Sequence, residues 1–373
     1  MKSIALVSFL ALVAVNQLSW IEFSSITNFV AATYHVSAFD VGLFVILFPL
    51  VYILTSLPVG WFIDSKGPYL SVTLGGALMT VSSFVRLAHG LFPLVIGQLG
   101  IAVAQPFLLN STAKFAESLY PSRASLIIGA ETAAVFVGIA LGLGVPPLVL
   151  GDFLYFLLAS AVTSLVFTAL SLPSTKYPFV VLKGRGSVHL RELWPVYYVV
   201  GVGMGLFIGV LTWISQILAQ FSDAQVGLVG TSLVLGGMIG SVILPAVTYR
   251  TGKVRLLLAV LPAVVVLSAI YALVSSLYAQ VVVNVALGFL MVGAFPVLID
   301  LAASIDPKQA GVVNSAVWFF GNLGGVAIPL GAFPLLSGVW IHYSVPMIAS
   351  SALLAVGVAF VPRLKSLEEV GHS

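Results

Sequence analysis

Two acidic residues lie inside long apolar stretches of the sequence, Glu22 in the stretch 4–30 and Glu131 in the stretch 124–149. A charged side chain at bilayer depth costs roughly 2.5–3.5 kcal/mol or more, so an acid there is a functional candidate. We expect no Lys or Arg deep enough to pair with either acid, because Arg86 falls at the end of its own apolar stretch. Burial without a cation favours the protonated carboxyl group, which suits a proton carrier. The alternative is a protonated acid bonded to nearby backbone.

Aromatic and amide side chains form a second set of candidates, for substrate binding. Polar residues recur on one face of two predicted helices, namely Asn16, Trp20, Ser24 and Thr27 on the first and Gln98, Gln105 and Thr112 on the fourth. An indole face attracts a quaternary ammonium by about 0.5–2 kcal/mol, and a Gln carbonyl can accept from a hydroxyl or an ammonium group. The second half of the sequence offers the same residue types at Trp213, Gln216, Asn314 and Trp318. The alternative is that these tryptophans pack between helices or lie at the membrane interface.

The segment GWFIDSKG at 60–67, here called the gating loop, has residues that suit a clasp between helix ends. Asp64 could cap a neighbouring helix N-terminus or pair with a cation, and Gly67 permits a tight turn. A degenerate copy, YRTGK, occupies 249–253. An ordinary solvated loop is the alternative, but the second copy favours a gating role for Gly60, Asp64, Lys66 and Gly67.

Long apolar segments separated by short polar loops must position these residues. Hydrophobic residues make up 60% and charged residues 7% of the 373-residue chain, against roughly 45–50% and about 25% in an average soluble domain. This composition excludes soluble enzymes, nucleic-acid binders and secreted disulfide domains, and the chain contains no cysteine. At roughly 20 apolar residues per span, the sequence predicts an all-α membrane protein with twelve spans: 4–30, 40–63, 70–89, 92–115, 124–149, 153–173, 192–220, 225–249, 254–276, 278–302, 309–334 and 338–362.

The placement of basic residues predicts the orientation in the membrane. Fourteen of the fifteen Lys and Arg fall on one side of the predicted spans, and Arg86 falls on the other. Because cytoplasmic loops carry an excess of Lys and Arg, both termini and the central linker are predicted to lie inside the cell, with the chain in the plasma membrane. The predicted parts are an N-terminal six-helix bundle at 1–173, a linker at 174–191, a C-terminal six-helix bundle at 192–362 and a cytoplasmic tail at 363–373.

The two halves of the sequence repeat at a spacing of 185–186 residues. VGL at 41–43 recurs at 226–228, Gly67 maps onto Gly252, and Gly138 maps onto Gly324. Chance in an apolar sequence is the alternative, but the constant offset favours a duplication. Duplicated halves predict a substrate site at their interface near the bilayer midplane, with transport by rocking-type alternating access.

Several motifs are shared with a known transporter family. They are NQLSWIEFSSITNFVAATYHVS (16–37), PVGWFIDSKG (58–67), AQPFLLN (104–110) and GIALGLGVPPLV (138–149), with weaker matches at GGMIGS (236–241) and GVVNSAVWFFG (311–321). Together they resemble the feline leukaemia virus subgroup C receptor family, which belongs to the major facilitators and is linked to the transport of choline, ethanolamine and haem. The resemblance implies a major facilitator fold, and it implies that Trp20 and Gln105 contact a choline-like substrate.

The sequence also departs from that family. The family's aromatic residue of span 7 falls on Ile208 and its glutamine of span 11 falls on Trp318, so Trp213 could supply the missing aromatic ring. The family has a glutamine at Glu22 and no acid at Glu131. These two acids would therefore add proton coupling to facilitated diffusion.

The predicted function is secondary transport of a small neutral or cationic organic solute, choline-like by resemblance, by a monomer without cofactor or metal. Without a deep cationic clamp, anionic substrates are disfavoured. The absence of a GxxxxGK[ST] loop argues against ATP-driven transport, and the histidines lack metal-ligand spacing. We expect no enzymatic activity and no nucleic-acid partner. The alternatives are a proton-coupled exporter of diverse lipophilic compounds and a membrane receptor or scaffold without transport.

Overall fold

A computed structural model describes residues 2–179, 193–305, 310–336, 351–354, 356–357 and 359–360, and all regular secondary structure in these ranges is helical. Within them, eleven helical segments are long and apolar enough to cross a membrane: Lys2–Tyr34, Ala38–Lys66, Pro68–Val85, Leu91–Leu109, Pro121–Leu148, Leu150–Lys176, Trp194–Thr212, Asp223–Thr251, Lys253–Tyr271, Leu277–Ala302 and Val313–Gly331. These segments agree with the first eleven predicted spans. Most of the twelfth predicted span (338–362), most of the linker and the whole tail lie outside the described residues.

The chain divides into two compact units, Met1–Gly184 and Arg185–Ser373. The first contains α1 (Lys2–Ile21), α2 (Thr27–Tyr34), α3 (Ala38–Lys66), α4 (Pro68–Val85), α5 (Leu91–Leu109), α6 (Thr112–Leu119), α7 (Ala124–Gly144) and α8 (Phe153–Ser171). The second contains α9 (Trp194–Thr212), α10 (Ile214–Ile217), α11 (Asp223–Thr251), α12 (Lys253–Leu273), α13 (Leu277–Met291), α14 (Ala294–Ile305) and α15 (Ala310–Leu336).

Helices α3 and α11 show that the sequence repeat is also a repeat of local structure. Both are 29 residues long, and both begin with a capping box, made by Ser37 with Asp40 and by Ser222 with Gln225. Such a box satisfies backbone N–H groups that a helix start leaves without partners. Both helices end at a glycine with positive φ, +91° at Gly67 and +80° at Gly252. Equivalent residues 185 positions apart therefore start and stop equivalent helices.

Closely crossing helix pairs recur in both units. In the first, a Cβ on Gly138 of α7 would lie 2.2 Å from the Ala14 carbonyl oxygen of α1. In the second, a Cβ on Gly324 of α15 would lie 1.8 Å from the Gly201 carbonyl oxygen of α9. Backbones in such pairs touch because glycine has no side chain to keep them apart. The first and fifth spans of each unit thus pack closely against each other at a glycine.

Candidate functional site

The first span is interrupted beyond its midpoint, next to two of the predicted site residues. Helix α1 ends at Ile21, residues Ser24–Ile26 form a 3₁₀ turn, and the helix resumes as α2. The Thr27 hydroxyl donates to the carbonyl oxygens of Phe23 (3.3 Å) and Ser24 (3.0 Å), which stabilises the turn. Trp20 therefore lies in the last turn of α1, and Glu22 lies just past its end.

A buried ion pair joins this interruption to the end of α4. The Arg86 Nη1 donates to Glu22 Oε1 and, at 3.0 Å, to Gln98 Oε1, and both charged side chains are fully buried. The Gln98 Nε2 donates to the Ser19 carbonyl oxygen at 2.7 Å. We name Glu22, Arg86 and Gln98 the outer polar network. It joins α1, α4 and α5 through one guanidinium group.

The expectation that no cation lies deep enough to pair with Glu22 is wrong. It placed Arg86 by its backbone, at the end of α4, whereas the long side chain carries the guanidinium to Glu22. Gly97 makes room for that side chain, since a Cβ there would lie 2.3 Å from the Arg86 Cγ. The sequence held one signal of the pairing, because Arg86 is the basic residue that departs from the charge pattern of the loops. The reason for assigning Glu22 as an unpaired proton carrier is therefore removed.

Trp20 is buried, and its polar atom is already bonded within the first unit. Its Nε1 donates to the Val45 carbonyl oxygen of α3 at 3.0 Å, and its ring lies tilted against Phe48 at 6.5 Å between centroids. Asn16, one turn earlier, donates to the Ile101 carbonyl oxygen of α5 at 3.2 Å. With its N–H engaged, the indole can offer a ligand only its π face.

Gln105 on α5 is buried, and its amide forms no hydrogen bond with the residues that the structure describes. The bonds from Gln98 to residue 19 and from Asn16 to residue 101 show that α5 runs antiparallel to α1. In this register Gln105 is level with Leu12, about 12 Å along the helices from Trp20 at 1.5 Å per residue. Helical side chains lean toward the N-terminus of their helix. Trp20 and Gln105 consequently lean toward each other.

Glu131 lies buried on α7 in a second polar cluster, closer to the predicted cytoplasmic side. Its carboxyl group is within hydrogen-bonding reach of the Thr112 hydroxyl, and Tyr52 is near enough to interact with it electrostatically. The Tyr52 hydroxyl donates to Asn110 Oδ1 at 2.5 Å, and the Asn110 amide donates to the Ser56 carbonyl oxygen at 3.2 Å. Among the described residues no Lys or Arg pairs with Glu131.

Residues 60–66 of the gating loop belong to helix α3 rather than to a loop, and the segment is tied to the end of the fourth span. Asp64 forms an ion pair with Lys114 of α6. Lys66 is the last residue of α3 and is exposed, and a Cβ on Gly60 would meet no atom within 4 Å. In the second unit Lys253, just after Gly252, pairs with Asp300 of α14 at 2.8 Å. Both units thus join the junction of their second and third spans to the end of their fourth, with the acid and the base exchanged.

The candidate residues of the second unit fall into two groups. Trp213, between α9 and α10, donates from Nε1 to the Pro329 carbonyl oxygen of α15 at 3.0 Å. Trp318 packs edge-on against Phe295 with ring centroids 5.1 Å apart. Since Trp318 and Pro329 belong to the same helix and lie eleven residues apart, the two levels differ by about 16 Å. The structure therefore does not bring Trp213 and Trp318 to one small ligand.

Two amide side chains of the second unit lie near these two tryptophans, one beside each. Gln216 lies one turn beyond Trp213, and its amide nitrogen and oxygen are buried with no partner among the described residues. Asn314 lies one turn before Trp318, and its Oδ1 is in the same situation. Each tryptophan is thus accompanied by an amide with a buried oxygen that has no partner among the described residues.

Known proteins resemble the chain along most of its length. Residues 7–329 match the family model of the Major Facilitator Superfamily. The chain belongs to the Major Facilitator Superfamily. A solved structure of a bacterial homologue of the human lysosomal transporter Spinster, in an inward-facing and unoccupied conformation, shares this fold with a TM-score of 0.73 and 15% identity, over 99% of this chain and 98% of that one.

Curated relatives of this major facilitator include transporters and an uncharacterized protein. The choline/ethanolamine transporter FLVCR2 of Homo sapiens is 24% identical over 359 residues, covering 82% of this chain and 67% of the relative. The choline/ethanolamine transporter flvcr2b of Danio rerio is 24% identical, covering 82% of this chain and 73% of the relative. An uncharacterized protein of Archaeoglobus fulgidus is 31% identical over 189 residues, which are 50% of this chain and 82% of the relative. The predicted fold class and the predicted family resemblance are confirmed, and the chain is a multi-pass membrane transporter.

Proposed function

We propose that this major facilitator moves a small cationic or neutral organic solute of the choline class by alternating access, as a monomer with both termini in the cytoplasm. The observation that carries the proposal is the indole of Trp20, held next to the interruption of the first span with its N–H bonded to Val45. Its π face is then the part that a ligand can use, and a π face attracts a quaternary ammonium. The relatives named choline/ethanolamine transporters support the same substrate class.

Gln105 is proposed to bind the other end of the solute. Its amide is unbonded among the described residues, and it leans toward Trp20 from the facing helix α5. A solute with an ammonium at one end and a hydroxyl at the other offers a partner to each residue. An anionic solute would find no such pair, because the Arg86 guanidinium is already bonded to Glu22.

Glu131 is proposed to couple transport to protons. The Thr112 hydroxyl within reach of Glu131 also donates to the Leu109 carbonyl oxygen at 2.8 Å. Unlike Glu22, Glu131 has no Lys or Arg partner among the described residues, so it could take up and release a proton without breaking an ion pair. Glu22 is assigned to the outer polar network instead.

Uptake of labelled choline into proteoliposomes tests the substrate. Trp20→Ala is expected to abolish uptake, and Tyr278→Ala is the control because Tyr278 is an aromatic residue that is 85% exposed on α13. Equal uptake by the two variants would contradict the role of Trp20. If wild-type protein that is folded takes up tetraphenylphosphonium but no choline, the exporter of lipophilic compounds replaces the proposal. Choline binding without uptake would favour a receptor.

The same vesicles with and without an inward proton gradient test the coupling. Any stimulation by the gradient is expected to disappear in Glu131→Gln and to persist in Glu22→Gln. Stimulation that survives in Glu131→Gln would contradict the assignment. Wild-type uptake that ignores the gradient would mean facilitated diffusion without protons.

A further inference from the structure

The outer polar network holds the first span on both sides of Trp20. Gln98 donates to the carbonyl oxygen of Ser19, the residue before it. Arg86 binds the side chain of Glu22, two residues after it. The backbone N–H of Glu22 still bonds to the Leu18 carbonyl oxygen at 3.0 Å, so the last turn of α1 is helical up to this point. The indole therefore projects from a short segment that is fixed at both ends.

This segment needs support from outside its own helix. Ser19 belongs to the last turn of α1, and the last four carbonyl groups of a helix have no donor within it. The interruption at residues 22–26 removes the following turn that would supply those donors. The Gln98 amide supplies the missing donor to the Ser19 carbonyl oxygen. Arg86 in turn donates to the Oε1 of Gln98 and holds that side chain in place.

We propose that Arg86 and Gln98 are positioning residues, which set the orientation of the Trp20 indole toward the solute without touching the solute. This proposal rests on the proposed role of Trp20 in substrate binding. Glu22 is the counter-ion that holds Arg86 in place, and it is therefore a positioning residue too. The effect passes through the backbone of residues 19–22, so loss of the network leaves Trp20 present but turned.

The Gln98→Leu variant removes both hydrogen bonds at similar side-chain size. It is expected to raise the KM for choline about tenfold, the size of effect given by one lost hydrogen bond, with little change in the maximal rate. Gln98→Met also lacks both the amide donor and the amide acceptor and adds no charge, so it should show the same effect. Asn284→Leu is the matched control, because Asn284 is a buried amide on α13 in the second unit.

Fluorescence separates this proposal from that of the substrate. In a protein whose other five tryptophans are phenylalanine, Gln98→Leu should shift the emission of Trp20 and increase its quenching by acrylamide, while Asn284→Leu should do neither. Unchanged emission and KM in folded Gln98→Leu, confirmed with Gln98→Met, would overturn the positioning role. If choline is not transported at all, the substrate proposal fails, and the emission of Trp20 still decides whether the network positions it.

Discussion

The two units bury polar residues at matching positions, but the cluster is charged in the first unit and neutral in the second. Adding 185 to Arg86 gives Tyr271, and adding 186 to Gln98 gives Asn284, and both are buried. There the Gln280 amide donates to the carbonyl oxygens of Tyr271 (3.1 Å) and Val274 (2.6 Å), which closes the end of α12. The neutral cluster thus joins neighbouring helix ends, whereas the charged one reaches across to the first span.

This contrast shows which features of the repeat are framework and which are specialised. The capping boxes, the terminal glycines and the close helix crossings recur in both units. The acid does not, since Phe207 and Ile208 stand 185 and 186 residues after Glu22. The ion pair belongs to the unit whose first span carries Trp20, and we expect this unit to lose more stability when its polar cluster is broken.

Removing Arg86 should have the largest effect on stability. Arg86→Gln leaves Glu22 buried without its partner, and breaking a buried pair in this way costs about 3–5 kcal/mol. The double variant Glu22→Gln with Arg86→Gln should recover most of that loss, because no charge remains buried. Thermal unfolding in detergent measures both. Equal destabilisation of the single and double variants would show that the pair has no special energetic role.

A side chain at the glycine crossings should destabilise both units to a similar extent. Gly138→Ala in α7 and Gly324→Ala in α15 place a methyl group against a carbonyl oxygen, and overpacking of this kind costs about 1–3 kcal/mol. Gly129→Ala in α7 and Gly331→Ala in α15 are the matched controls, since a Cβ there meets no atom within 4 Å. Crossings and controls with the same unfolding temperature would contradict the close packing.

The neutral cluster should be less sensitive than the charged one. Asn284→Leu removes the bond to the Gln280 carbonyl oxygen (2.8 Å), and one such bond contributes about 1 kcal/mol. Chemical unfolding of the same detergent-solubilised protein gives the comparison with Arg86→Gln. A loss as large as that of Arg86→Gln would remove the energetic contrast between the units.

The ion pairs Asp64–Lys114 and Lys253–Asp300 should contribute least to stability. Asp64 and Asp300 are largely exposed, so Asp64→Asn and Asp300→Asn should each change the free energy of unfolding by less than about 1 kcal/mol. Asp64→Asn should nevertheless slow uptake, because the gating role proposed for this segment depends on the pair with Lys114. Uptake at the wild-type rate in both variants would leave the two pairs as surface contacts only.

Features that depend on residues close together in the chain could be predicted from the sequence. Apolar length predicted the spans, and Gly67 predicted the turn that the structure shows with φ of +91°. The pairing of Glu22 with Arg86 could not be predicted, because it depends on side-chain reach between residues 64 positions apart and on the space beside Gly97. Similarly, residue type made Trp213 and Trp318 candidates for one substrate site, whereas the bond of Trp213 to Pro329 places them at different levels of α15.

The separation of Glu22 from Arg86 along the chain also has a consequence for synthesis. At about 5–20 residues per second, roughly 3–13 seconds pass after Glu22 is made before Arg86 exists. Gln98 follows 12 residues later. Throughout this interval the first span contains an acid whose partner is still untranslated. The last turn of α1 therefore cannot reach its final arrangement until the third and fourth spans have followed it into the membrane.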